Sequence, residues 1–455
     1  MAARRVVVTG LGQITPHGRD VAAGFDALLA GRSAVRRHTV GEAPHSTRLA
    51  SAVCVDFDAG AELGRPRAIT MDRVSQLSVL AARAAWADAG LPGVGGAGSA
   101  GPGALTDAER ERACVMWGTG AGGIQTLERG YRELFVKGRP RISPLSVVMG
   151  MNNAAAGQIA LLLGLGGACF TYSVACASSA VAIGEALRRV RWGECAVALA
   201  GGGEAALPYG TLKAWLSMQV LAGAGDDAGD AEGSDGAGGS DGAAGSDGGG
   251  ATQARAASAC RPFDASRSGL VLGEGAAALV LEERGHALAR GARIYAELAG
   301  AGSSNDHRHL STPDAAGQIR ALQAALTDAG ADASDVGYVN AHGTATTEGD
   351  PVEADALRRL FGGHAPQVAV SATKSMHGHL MGAAGALEAL ITVLAVHSGN
   401  LPPTAHLRQI DPACAGLDHV LGSGRHGVDV ALALSNSFAF GGSNTVLAFR
   451  RHASA

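Results

Sequence analysis

The chain has 455 residues, 37 Lys+Arg against 41 Asp+Glu, 47% hydrophobic residues but only 4% aromatics, and 68 glycines. That composition describes a globular protein with ample core, long enough for about three domains or for paired halves sharing one core. A formal charge of −4 supplies no basic field for a nucleic acid backbone, so nucleic acid is excluded as a partner.

The opening Arg5-Val-Val-Val-Thr reads as a strand followed by a helix over Ala22 to Ala30. Its apolar run stops at Thr9-Gly10, too short for a signal-peptide core. The longest apolar stretches, Ile159 to Phe170 and Ala383 to Val396, are broken by glycines or by Glu388 and fall short of a ~20-residue span. A cytoplasmic protein without membrane contact is expected. Seven cysteines, odd in number and without a CxxC pair, suggest neither a disulfide framework nor a zinc cluster.

Further along, Ala177 to Trp192 reads as a helix before the strand Ala196-Val-Ala-Leu-Ala, and Ala315 to Ala329 as a helix before Val336-Gly-Tyr-Val-Asn. Continuous apolar strands next to amphipathic helices predict an α/β fold with a buried, largely parallel sheet. Between the two groups, residues 223–258 are Gly/Ala/Asp/Ser, with GSDG at 233, 239 and 245. The period of six resembles a calcium-binding repeat, yet no alternating apolar residues build a solenoid, and a disordered insertion is the expectation. It separates an N-terminal half (1–222) from a C-terminal half (259–455), with no sequence repeat detectable between them.

Chemistry is concentrated at four strand ends. Thr171-Tyr-Ser-Val-Ala-Cys176-Ala-Ser-Ser turns directly from strand to helix, which would set the Cys176 sulfur at the positive end of a helix dipole as a stabilised thiolate. A lone cysteine more often packs as a small apolar residue; its company decides. Val339-Asn-Ala-His342-Gly-Thr344-Ala-Thr346 and Val370-Ser-Ala-Thr-Lys374-Ser-Met-His377-Gly-His379 each follow a strand, and Leu434-Ser-Asn-Ser-Phe438-Ala-Phe440-Gly-Gly makes a Gly/Phe loop. Singly, each is more readily a structural turn than a site.

Together these motifs, with RRVVVTGLG at the start, Ile142-Ser-Pro, AGGGEAA and RPFD at 261, resemble the thiolase-fold condensing enzymes, most closely the elongating β-ketoacyl-acyl carrier protein synthases of type II. The resemblance covers nearly the whole chain and implies two similar α/β halves in a layered αβαβα core. It implies that Cys176 takes an acyl group from a carrier-protein phosphopantetheine, with the Cys176 and Phe440 N–H groups as oxyanion hole. His342 and His379 would hydrogen-bond the malonyl thioester carbonyl during decarboxylation. Lys374 would pair with Glu353 and orient the histidines, Thr344 and Thr346 would bind the pantetheine amides, and Phe438 would gate the substrate. Ala121, in the turn Gly118-Thr-Gly-Ala121, would leave room for medium to long acyl chains; equally, a tight turn simply demands a small residue there.

No resident cofactor or metal is implied; the partners are an acyl carrier protein and a second copy of the chain, whose Ile142 to Met151 loop closes the acyl pocket. A heterodimer with a related subunit is compatible with the same residues. Three positions depart from the family: His377 replaces a threonine, Gln219 stands near a carrier-contacting arginine, and Ala439 replaces the glycine between the phenylalanines. His377 with His379 could also be read as metal ligands, although no carboxylate or cysteine lies at ligand spacing on that loop. A ketosynthase of a specialised acyl pathway is the alternative enzyme. A non-catalytic chain-length subunit is disfavoured by the presence of Cys176, His342 and His379, and a degradative thiolase by the NAHGT and KSMxGH pair.

Overall fold

The computed structural model describes residues 4–42, 44–91, 105–223 and 248–452. Five strands form the first half-sheet: β1 (Val6–Ile14), β4 (Cys114–Gly118), β5 (Cys169–Tyr172), β6 (Val197–Glu204) and β8 (Gly275–Glu283). Their spatial order is β5-β4-β6-β8-β1, with β4 parallel to β5 and β6, and β8 antiparallel to β6 and β1. The second half-sheet repeats this plan with β9 (Ala296–Asn305), β10 (Val336–Asn340), β11 (Ala369–Ser371), β13 (Leu432–Ala439) and β14 (Ser443–Arg451), in the order β11-β10-β13-β14-β9. The same pairs are parallel and the same pairs antiparallel. The sheets are therefore mixed, which corrects the largely parallel expectation: apolar runs such as β8 are continuous because both faces are covered, not because their neighbours run parallel. Two residue pairs, Val7↔Glu297 and Val8↔Ala296, join the halves into one ladder. The short β12 (Asp418–His419) extends the second edge, and β2 (Arg36–Glu42), β3 (His45–Ala52) and β7 (Leu272–Gly273) make a small separate sheet.

Helices complete five layers. Helix α1 (Arg73–Asp88), which starts on the Asp72 side-chain cap, covers the outer face of the first sheet. Between the sheets lie α2 (Ser178–Trp192) and α3 (Ala384–Ser398), and α4 (Ala315–Ala329) with α5 (Gly349–Phe361) covers the outer face of the second. Helix α3 is apolar on all sides, as a helix packed all round must be. With the turn before it, Met381–Ser398 is long and apolar enough to cross a membrane, yet 78% of it is buried inside the protein.

The half boundary also differs from the expectation. Strand β8 lies beyond the Gly/Ala/Asp/Ser segment but pairs with β1 and β6, so the first half runs to about Glu283 rather than ending at 222. The end of that segment is structured: Gly248–Ala257 is a helix, Gln253 accepts a hydrogen bond from the Arg37 N–H, and Ala256 is buried. Residues 224–247, with most of the GSDG repeats, lie outside the described residues.

Candidate active site

Equivalent strand ends of the two halves converge on one cavity of about 410 Å³. Cys176 stands between β5 and α2 in a bend whose preceding residue, Ala175, has φ of +44°. The Ser178 hydroxyl staples that bend, accepting from the Val174 N–H (2.8 Å) and donating to the Ala175 carbonyl (2.6 Å). Glycine at the end of β4 allows the helix start to sit close, since a Cβ on Gly118 would lie 2.3 Å from the Ser179 nitrogen. A left-handed alanine is strained by roughly 1–2 kcal/mol, and a β-branched side chain by more. Ala175→Val is expected to destabilise the fold by roughly 1–3 kcal/mol in urea denaturation, whereas Ala175→Gly stays near wild type.

The histidines come from the other half. His379 Nε2 lies 2.9 Å from Cys176 Sγ, and His342 stands edge-on to His379 with ring centroids 5.5 Å apart. Lys374 donates to the His342 carbonyl (2.6 Å) and lies 3.3 Å from its Nδ1, so Nδ1 is the acceptor and Nε2–H the remaining donor. The backbone N–H of Phe440 donates to the Cys176 sulfur, as an oxyanion donor beside the nucleophile should. Burial pushes the thiol up to about 12 against the pull of Lys374, and pushes both histidines well below 6.5. The expectation of a standing thiolate is therefore corrected: the resting trio is neutral, because its burial outweighs the helix end and the lysine.

Lys374 does not pair with Glu353. It pairs with Glu388 of α3, a contact between two fully buried charges. Glu353 instead holds the histidine loop by accepting from the His342 and Gly343 N–H groups (2.8 Å each) and from the Asn436 amide (3.0 Å). Thr344 and Thr346 line the cavity with hydroxyls 3.3 Å apart. Phe438 packs beside the His342 ring, and Phe440 stacks on Trp215 at 6.0 Å. Ala439 packs its methyl against Cys176 and Ala177, which gives that departure a place. Gln219 lines the cavity mouth with φ of +57°. Ala121 is not part of the cavity lining; its turn is held from below by Glu204.

His377 faces away from the sulfur. Its Nδ1 donates to the Gly378 carbonyl (2.7 Å) and its Nε2 meets the Thr373 hydroxyl (3.0 Å), so both ring nitrogens are used within its own turn. Burial beside Lys374 holds it well below 6.5, and it adds no charge to the site. Cys176, His342 and His379 offer three ligand atoms within 4.8 Å of one another, the spacing of a metal site. The Lys374 ammonium against His342 opposes a second cation there, and the arrangement suits a nucleophile with two hydrogen-bond donors.

Two buried acids went unread in the sequence. Glu388 was legible as a single charge in an apolar helix, a position that demands a partner. Asp350 accepts from the Phe263 and Ala345 N–H groups (2.7 and 3.1 Å) and so shapes the threonine loop. Burial raises it from 3.8 to about 7. Because the folded value is the higher, its favourable contribution is complete below 3.8 and is lost as pH rises through 7. Asp350→Asn keeps an acceptor and removes this titration, so wild-type stability in urea is expected to fall relative to the variant between about pH 4 and 7 and to level off above that.

Comparison with known proteins agrees with this geometry. The family model described as beta-ketoacyl synthase, N-terminal domain, matches residues 3–252 and 233–287, and that of the C-terminal domain matches 295–408. Nodulation protein E of Rhizobium sp. (strain N33) is 39% identical over 98% of this chain and 99% of its own. The 3-oxoacyl-[acyl-carrier-protein] synthase 2 of Synechocystis sp. (strain ATCC 27184 / PCC 6803 / Kazusa) is 37% identical over 99% and 98%. Among solved structures, the ishigamide ketosynthase/chain length factor superposes with a TM-score of 0.83 at 32% identity, covering 99% of this chain and 100% of that one. The chain is thus a condensing enzyme of thiolase-like fold, and it belongs to the β-ketoacyl synthase family.

Proposed function

We propose that the chain elongates an acyl group by decarboxylative condensation with a malonyl unit on an acyl carrier protein, giving a 3-oxoacyl-carrier protein. The observation that carries this is the neutral Cys176–His379–His342 trio at the base of the cavity, with the Phe440 N–H aimed at the sulfur. In the first half-reaction Cys176 Sγ attacks the acyl thioester carbonyl. The S–C bond to pantetheine breaks, and the thiol proton ends on the departing pantetheine sulfur. His379 and Phe440 N–H support the negative charge that grows on sulfur and oxygen. In the second, the malonyl C–C bond to its carboxylate breaks, carbon dioxide leaves, and the electron pair rests in an enolate whose oxygen faces the two imidazoles. Two neutral imidazoles suit this step because each keeps an N–H to donate. The enolate carbon then attacks the Cys176 thioester carbonyl, the bond from that carbon to Sγ breaks, and the departing thiolate takes a proton from solvent to restore the resting thiol.

Substrates arrive on phosphopantetheine, and the reaction uses no resident metal or cofactor in this reading. Carrier-protein partnership is supported by the name of the Synechocystis relative. A homodimer is supported by the apolar surface around Phe135 (80% exposed) and Val147 (70% exposed) and by β5, whose outer edge is unpaired among the described residues. A second reading, a ketosynthase of a specialised acyl pathway, is favoured by the likeness to nodulation protein E and to the ishigamide ketosynthase, whose partner is a chain length factor. Seven free cysteines fit a cytoplasmic location.

Intact-protein mass spectrometry tests the function. Acyl-carrier proteins of graded length are expected to leave an adduct on the chain that malonyl-carrier protein discharges as a 3-oxoacyl product. The preferred length separates fatty acid elongation from a specialised pathway. Absence of any adduct would refute the proposal for the chain acting without a related subunit.

A further inference from the structure

A buried acid at the end of β6 has no part in the chemistry above. Glu204 is fully buried, and among the described residues no cation is paired with it. Its Oε2 accepts from the Gly120 N–H (2.7 Å) and the Gly382 N–H (3.1 Å); its Oε1 faces the Ala121 N–H and the Thr119 hydroxyl, each at 3.4 Å. Gly120 and Ala121 form the turn after β4 in the first half. Gly382 lies three residues after His379 in the second. The two segments touch directly, since a Cβ on Gly382 would stand 2.3 Å from the Gly120 nitrogen. One carboxylate is thus the polar joint between the turn bearing Ala121 and the segment leaving the histidine. Carboxylate geometry, with two oxygens each able to accept more than one bond, is what such a junction of four donors requires.

We propose that Glu204 is a positioning residue that holds the Ala121 turn and the His379 segment in register, so that the acyl-enzyme and the enolate donors meet in reactive geometry. The proposal rests on the condensing function above. It separates two half-reactions by their dependence on His379: acylation also rests on the Phe440 N–H, which Glu204 does not touch, whereas the enolate oxygen is held by the imidazoles alone, so condensation is the more sensitive to where His379 stands. A displacement of about 1 Å at reacting groups can lower a rate ~10²-fold.

The test uses the full chain in single-turnover experiments. Cys176 acylation by butyryl- and dodecanoyl-carrier protein is timed by intact mass, and discharge by malonyl-carrier protein is timed separately. Glu204→Met removes both acceptors at similar length, and Glu204→Gln keeps one. The Met variant is expected to retain acylation by both donors within ~3-fold while condensation falls ~10–100-fold, with Gln intermediate. Equal loss of the two half-reactions, in proportion to the folded fraction, would show a merely structural acid and overturn the proposal; so would no loss in either. Should the Met chain not fold, the ratio of the two rates in the Gln chain decides by the same criteria. A wild-type chain that takes no acyl group refutes the condensing function itself, a result distinct from every variant outcome.

Discussion

Cys176→Ala is expected to give a folded protein that acquires no acyl adduct and condenses at least ~10³-fold more slowly than wild type. The side chain is small and buried, and alanine fills most of its volume beside Ala177 and Ala439, so stability changes little. His342→Ala is the informative contrast. Its ring faces the enolate and not the acylation step, so the variant is expected to keep the acyl adduct. Discharge by malonyl-carrier protein should fall ~10²–10³-fold, the usual effect of losing one donor to a developing oxyanion. Mass spectrometry of both variants before and after malonyl addition reads the two steps apart. An adduct on Cys176→Ala would place the nucleophile elsewhere.

Lys374→Ala carries the largest expected loss of stability. The ammonium is fully buried, neutralises Glu388, and holds the His342 carbonyl and ring nitrogen. Removing it leaves a carboxylate without a partner in the core between the sheets, which destabilises by about 3–5 kcal/mol. Burial already pushes Glu388 up to about 7 with the lysine present, so without it the acid would take a proton at neutral pH and blunt part of that loss. The double variant Lys374→Ala/Glu388→Leu removes both charges and is expected to recover much of the stability in urea denaturation. It should not recover condensation, because His342 has lost the cation that fixes its Nδ1 as acceptor. Recovery of both would mean that the pair serves the fold alone.

Much of the site was legible because its motifs are local: strand, turn and reactive residue follow one another within a dozen positions at Cys176, His342, His379 and Phe440. What was not legible depends on how segments meet in space. The Glu204 joint is set by which strand ends come together, and the partner of Glu388, although Lys374 is near in sequence, by how the helix lies back on the histidine loop; no local pattern states either. The thiolate expectation failed for a related reason: a helix start can be read from sequence, but the depth of the pocket that raises the thiol cannot. Likewise the mixed sheet was hidden because β8, covered on both faces, has the unbroken apolar character of a parallel strand. His377 stood out as a departure from the family and is a neutral brace within its own turn.

The repeated strand order has one more consequence. The turn after β5 carries the nucleophile, and the matching turn after β11 carries Lys374 and His379; the turn after β4 carries Ala121, and its counterpart after β10 carries His342. Each half therefore holds a different set of reagents on the same scaffold, and neither alone has a complete reaction. Cutting the chain between β8 and β9 would yield two fragments that are chemically inert apart and competent only when docked, which makes catalysis a direct reporter of their association.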